Sequence, residues 1–139
     1  MASFSADNIA ELENLQDFFL KAERVEENLK RTRDTIRHLR RVVKPGLEIQ
    51  LENARLVKAD HEELWLLYCD QLTPFDLVQQ LRNKRETLQE LVEDAELRLS
   101  NLEVEIGEYV KHEEFLRELL RHIREEARFY PYAAVYWRA

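Results

Sequence analysis

Apolar residues recur along most of this chain at alternating steps of four and three, the spacing that lines side chains up on one stripe of an α-helix. Leu15, Ala22, Leu29, Ile36 and Val43 stand seven apart, with Phe18, Val25, Thr32 and Leu39 three residues after the first four. That is an a/d seam. Charged residues fill most other positions, so the helix carries one apolar stripe and needs a partner to cover it. Asp7, or Ser5 before it, can cap its start by accepting a backbone N–H, and Ile9 and Leu12 open the stripe. The pattern predicts a first helix over about 5–44.

Lys44-Pro45-Gly46 interrupts the pattern. Proline disfavours helix in the residue before it, and glycine readily takes conformations that end a helix, so a turn or sharp kink is expected. A second helix is predicted over about 47–71, with Leu47, Leu51, Ala54, Trp65, Tyr68 and Leu72 on one stripe that Lys58 and His61 interrupt. Val57, Leu64 and Leu67 form another stripe beside it. The C-terminal half is therefore apolar around much of its circumference, which implies burial between two or more neighbours.

Thr73-Pro74-Phe75-Asp76 reads as a helix start, with Thr73 as N-cap, Pro74 at the first helical position and Asp76 reaching back like a capping box. From there a third helix is predicted over about 74–128. Val78, Val92, Leu99, Ile106, Leu120 and Ala127 hold a positions; Leu81, Leu88, Ala95, Leu102, Tyr109, Leu116, Ile123 and Tyr130 hold d positions. Arg85 and Glu113 are the polar exceptions at a, and Glu113 reads as a register-setting residue. About fifty residues at 1.5 Å each give a rod of roughly 75 to 80 Å, with Gly107 as the candidate bend or close-contact point. β-branched residues at a with Leu at d favour parallel two-stranded packing in simple coiled coils, and a three-helix fold could use the same seam.

The fold class this implies is all-α: three long helices in an elongated hairpin or coiled coil over residues 1–128, followed by an aromatic tail over 129–139. A hairpin of the second and third helices leaves the far end of the third uncovered unless the first helix or another chain lies alongside. Leu15, Phe18, Leu29, Ile36, Leu88, Val92, Leu99, Leu102, Ile106, Tyr109, Leu116 and Leu120 are therefore candidate contacts to another helical chain. A hetero-oligomer is expected over a homodimer.

Composition narrows the class of partner. Only two glycines and three prolines stand among 139 residues, 35% of them charged and 45% hydrophobic, so turns are few and elements long. A net charge of −7 opposes general or specific nucleic-acid binding. Cys69 is the one cysteine. An intrachain disulfide and a thiolate metal cluster are thereby excluded, which suits a reducing cytoplasm, and Cys69 is expected to serve as a small buried apolar residue. Residues 1–5 lack the basic and apolar regions of a signal peptide, and no run approaches the roughly 18 apolar residues of a membrane span. A soluble, cytoplasmic chain is expected.

Catalytic chemistry finds no footing. His38, His61, His112 and His122 are scattered, and neither zinc-protease nor di-iron spacing occurs. Glycine-rich phosphate loops cannot be built from Gly46 and Gly107 alone. No enzyme, metal or cofactor is expected.

Two other features invite a partner. Residues 30–44 hold Lys30, Arg31, Arg33, Arg37, Arg40, Arg41 and Lys44 against Asp34, with Arg33, Arg37, Arg40 and Arg41 at the centre. This patch either binds an acidic surface, such as a tubulin tail, an anionic membrane or phosphate, or pairs with the acidic third helix. Past Pro131, Tyr132, Tyr136 and Trp137 either anchor in a partner's pockets or fold back over the chain's own core.

Lys44-Pro45-Gly46-Leu47-Glu48 is similar to a proline-containing helix break in the Mod(r) domain of the membrane-sorting complex ESCRT-I. Val110-Lys111-His112-Glu113-Glu114-Phe115-Leu116-Arg117-Glu118-Leu119-Leu120 resembles that family's late acidic-Phe-Leu helix, and Thr73-Pro74 its Ser-Pro helix start. The resemblance implies a membrane-trafficking subunit. Small subunits of spindle and kinetochore assemblies, including augmin, resemble the chain in architecture. The expected function is a non-catalytic coiled-coil scaffold or adaptor in a hetero-oligomeric assembly, of cytoskeletal, spindle or kinetochore type or, alternatively, of the Mod(r) kind.

Overall fold

The computed structural model describes residues 6–69 and 72–128, with side chains from residue 13 onward. Helix α1 spans Ala6–His38, a π-helical turn follows over Leu39–Val43, α2 spans Lys44–Tyr68, and α3 spans Phe75–Ala127. The described residues contain no strand. Asp7 lies within α1 rather than at its cap, and Ser5 is outside the described residues.

The turn expected at Lys44-Pro45-Gly46 is not there. α1, the π turn and α2 join into one helical stretch, so three predicted helices become two. Pro45 brings no N–H, and in an α-helix its ring would crowd the carbonyl four residues back. A π turn closes its hydrogen bonds five residues apart and widens the backbone locally. Here the Lys44 N–H reaches the Leu39 carbonyl, and Lys44 keeps helical angles of φ −60 and ψ −50. The widened turn thus absorbs the proline, and Gly46 has no positive φ.

The second expected break is real. α2 ends at Tyr68, earlier than the predicted 71, and Cys69 leaves the helical region with φ −84 and ψ 40. Standing at this chain reversal rather than on a packed face, Cys69 is exposed, against the expectation of burial. The Pro74 carbonyl accepts the Val78 N–H at 3.1 Å. Pro74 therefore takes the cap position expected of Thr73, and Phe75 is the first helical residue, with Asp76 in the first turn where a carboxylate suits the helix dipole.

The chain divides into two compact units, Met1–Ile36 with Glu108–Ala139, and Arg37–Gly107. In the first, Ala22, Val25, Leu29, Leu116, Leu120 and Ile123 form one buried cluster with Phe18 and Leu119 packed against it. Leu15 and Ala127 form another, flanked by Phe18 and Phe19. Arg124 reaches Glu26 at 2.7 Å and Arg33 reaches Glu113 at 3.3 Å. Numbers rise on one segment as they fall on the other, so the pairing is antiparallel and within the chain, not the parallel two-chain packing that the a/d residues favoured.

The second unit is also antiparallel. Lys44 pairs with Glu103 at 2.6 Å, Arg55 with Glu96 at 3.2 Å and Arg85 with Glu62 at 2.8 Å. Its buried residues are Leu51, Leu88, Val92, Leu102 and Ile106, together with His61. The Nε2–H of His61 donates to the Leu81 carbonyl at 2.9 Å, so the residue that breaks the stripe in sequence is satisfied inside the packing. Arg85, a polar exception at an a position, lies 5.1 Å above the Trp65 ring while it holds Glu62. α3 runs unbroken through Gly107, where an added Cβ would meet nothing within 4 Å, so no close approach requires the glycine.

Candidate functional site

The seam residues expected to meet another chain are covered by this one. Leu15, Leu29, Ile36, Leu88, Val92, Leu102, Ile106, Leu116 and Leu120 are all buried, and Phe18, Leu99 and Tyr109 are half-buried. The antiparallel fold-back uses the a/d seam internally, so it is not a free surface. Tyr132, Tyr136 and Trp137 lie outside the described residues.

The basic patch divides. Arg33 donates to Glu113, a carboxylate that Arg117 also holds, and Lys44 pairs with Glu103. These two cations follow the expectation of pairing with the acidic third helix. Arg37, Arg40 and Arg41 do not: all three are exposed, and none makes an ion pair among the described residues. They flank or occupy the π turn, beside the exposed Val42. A second basic feature went unread in the sequence, a shallow groove of the first unit lined by Arg33, Arg117, Arg121, Arg124 and Arg128. Glu113, Glu118, Glu125 and Glu26 take up four of those cations, so little net charge remains for an anion.

Among the described residues no three His, Cys, Asp or Glu side chains approach closely enough to hold a metal ion. His112 stacks on Phe115, His122 stands 3.3 Å from Glu118, and His61 is engaged with Leu81.

What α2 leaves uncovered is the larger finding. Its packed face carries Leu47, Leu51, Ala54, Lys58, His61 and Trp65, as the first stripe predicted, although Tyr68 and Leu72 at the end of that stripe are exposed. On the other face Ile49, Asn53, Leu56, Asp60, Leu64 and Leu67 follow at helical steps of four and three. Its apolar members are all exposed, Ile49 by 62%, Leu56 by 55% and Leu67 by 68%. Val57 beside them is exposed too, so the second stripe is not buried between neighbours as expected: α3 is one helix and covers one face. Leu66, Leu72 and Phe75 add exposed apolar surface about the chain reversal. Ile49 and Leu56 escaped the sequence reading, though their signal was present as the upstream continuation of the Leu64 and Leu67 stripe.

The outer stripe has an acidic setting. Asp60 lies within it, Glu52 and Glu63 beside it, all exposed and without an ion pair among the described residues. The last turn of α2 contains no basic residue to offset the negative end of the helix dipole. No described helix is long and apolar enough to cross a membrane. Lys44-Pro45-Gly46-Leu47-Glu48, quoted above for its likeness to a helix break, lies inside a continuous helix. No family model, curated protein or solved structure matches the chain.

Proposed function

We propose that this chain is a non-catalytic helical scaffold or adaptor subunit of a hetero-oligomeric assembly. The observation that supports the reading is the outer face of α2, a helical stripe of Ile49, Leu56, Leu64 and Leu67 left exposed while the opposite face of the same helix is packed. A contiguous apolar stripe of this kind marks a surface for another protein, since isolated exposed leucines do not repeat at helical spacing. Long helices, few turns and a scarcity of clustered polar side chains favour a cytoskeletal, spindle or kinetochore assembly. Arg37, Arg40 and Arg41, exposed and unpaired within the described residues, supply a cationic surface for an acidic component of it. The trafficking alternative retains the likeness of residues 110–120 and loses the helix break.

The test is affinity purification of the full chain from its native cell under mild salt, with sizing and mass spectrometry of whatever co-elutes. A stoichiometric set of helical proteins is expected, and its membership chooses between spindle and trafficking assemblies. A bare monomer would overturn the reading.

A further inference from the structure

The outer face of α2 has a composition that selects its occupant. We infer that it docks an amphipathic α-helix of a different chain, one with Lys or Arg flanking its own apolar stripe. The inference deepens the scaffold reading and rests on it.

Three observations carry the choice. First, Ile49, Asn53, Leu56, Asp60, Leu64 and Leu67 recur at steps of three or four, which keeps them on one stripe of the helix, so its complement is a helix laid along it. Second, every charge within or beside the stripe that lacks an internal partner is acidic: Glu52, Asp60 and Glu63. The cations of α2 are engaged elsewhere, with Arg55 holding Glu96, Lys44 holding Glu103 and Lys58 half-buried on the packed face. Third, the C-terminal turn adds the negative end of the helix dipole with no basic side chain against it.

Together these favour a different chain over a second copy as the occupant. A two-fold contact between identical stripes brings a surface to itself. The unpaired carboxylates Glu52, Asp60 and Glu63 of one copy would then share an interface with those of the other, and like charges brought together at an interface are repulsive. A helix with Lys or Arg at its flanking positions turns each of those repulsions into attraction. Asp60 sets the register as well, because a carboxylate covered by a partner must be matched by a cation or a donor.

Two designed helical peptides of about four heptads test this against the full chain. Both carry Leu and Ile along the seam; one has Lys at the flanking positions and the other Glu. Fluorescence anisotropy is expected to show the Lys peptide binding at least tenfold more tightly than its Glu twin, with the difference shrinking as salt rises. Leu56→Ser with Leu67→Ser, both exposed and so harmless to the fold, should weaken the Lys peptide at least tenfold. Asp60→Lys with Glu63→Lys should reverse the preference.

Equal binding of the two peptides, no binding of either, or a preference that survives the charge reversal would overturn the inference. So would a dimer that the Leu56→Ser, Leu67→Ser pair dissolves, which would give the stripe to a second copy. Peptide binding that appears only after removal of residues 129–139 would give it to the chain's own tail. The scaffold reading fails separately: native complexes whose cross-links avoid α2 defeat this inference alone, whereas a monomer in the native cell defeats the scaffold.

Discussion

The two units of this chain use the same kind of helix pair to different ends. Among the described residues of the first, Leu15, Ala22, Val25, Leu29, Ile36, Leu116, Leu120, Ile123 and Ala127 are buried, and of the large apolar ones Leu20 and Phe115 are exposed. In the second, Leu51, Leu88, Val92, Leu102 and Ile106 are buried, while Val42, Ile49, Leu56, Val57, Leu64, Leu66, Leu67, Leu72, Phe75, Leu91, Leu97 and Val104 are exposed. An antiparallel pair can satisfy one stripe on each helix. In its described residues the first unit has one stripe per helix, covered by its own pairing. The second has an additional stripe on α2 and is left with apolar surface over.

The contrast is broken most severely by charging the inner seam. Leu102 and Ile106 are each 4% exposed, so Leu102→Asp with Ile106→Asp forces two carboxylates into the packing of the second unit. Loss of more than about 4 kcal/mol is expected, read as collapse of helical circular dichroism in the isolated chain. A double mutant that stays folded and loses only a binding partner would show that this seam serves another protein after all.

A gentler pair of truncations compares the inner and outer faces directly. Leu120→Ala in the first unit should cost about 2 to 5 kcal/mol, the range for removing a buried leucine side chain. Leu56→Ala on the outer face of α2 should stay within about 0.5 kcal/mol of the parent. Chemical denaturation of both variants decides the matter, and similar losses from the two would mean that the stripe on α2 is covered in solution.

The all-α class, the heptads of α1 and α3 and the packed face of α2 were legible because helical periodicity records which side is apolar. What periodicity does not record is whose helix covers it. Leu15, Leu29, Leu116 and Leu120 carry the same signal whether the complement is another chain or the chain's own return, and antiparallel fold-back decided it. Pro45 misled for a different reason: proline rules describe an α-helical turn, and the Leu39–Val43 turn is not one. The basic patch was visible as composition, but its division between paired Arg33 and unpaired Arg37, Arg40 and Arg41 depends on which carboxylates α3 brings alongside.

His61 offers a smaller effect within the second unit. His61 is 7% exposed and its Nε2–H donates to the Leu81 carbonyl, so His61→Ala removes both packing and a partly buried hydrogen bond. A loss of about 1 to 3 kcal/mol is expected by thermal or chemical unfolding. His61→Gln, which keeps a donor, should recover part of it. Recovery by His61→Leu to the same extent would show that packing alone matters at this position.

The smallest effect lies at the rim of the same unit, where Glu62 accepts from Arg85. The hydrogen bond from the guanidinium, reinforced by its charge, holds the Glu62 carboxyl below the usual glutamate range despite partial desolvation acting the other way. A depressed folded-state value means that the pair contributes above the ordinary carboxylate pKa and is lost as pH falls through the lowered one. The opposite sign holds for Lys44, raised by its hydrogen bond to Glu103: that contribution is present below the ordinary lysine pKa and vanishes as pH climbs through the raised value. Both groups are exposed, so neither should move global stability appreciably. The readout is therefore local. In a carboxyl-carbon NMR titration, Glu62 should reach its midpoint below the usual glutamate range, and Arg85→Gln should bring it back toward that range. Because Arg85 also lies over Trp65, the same variant should alter the indole fluorescence, which ties the rim of the second unit to the aromatic ring that its apolar packing leaves half-buried. A Glu62 midpoint unmoved by Arg85→Gln would mean that the guanidinium spends its time on the ring and not on the carboxylate.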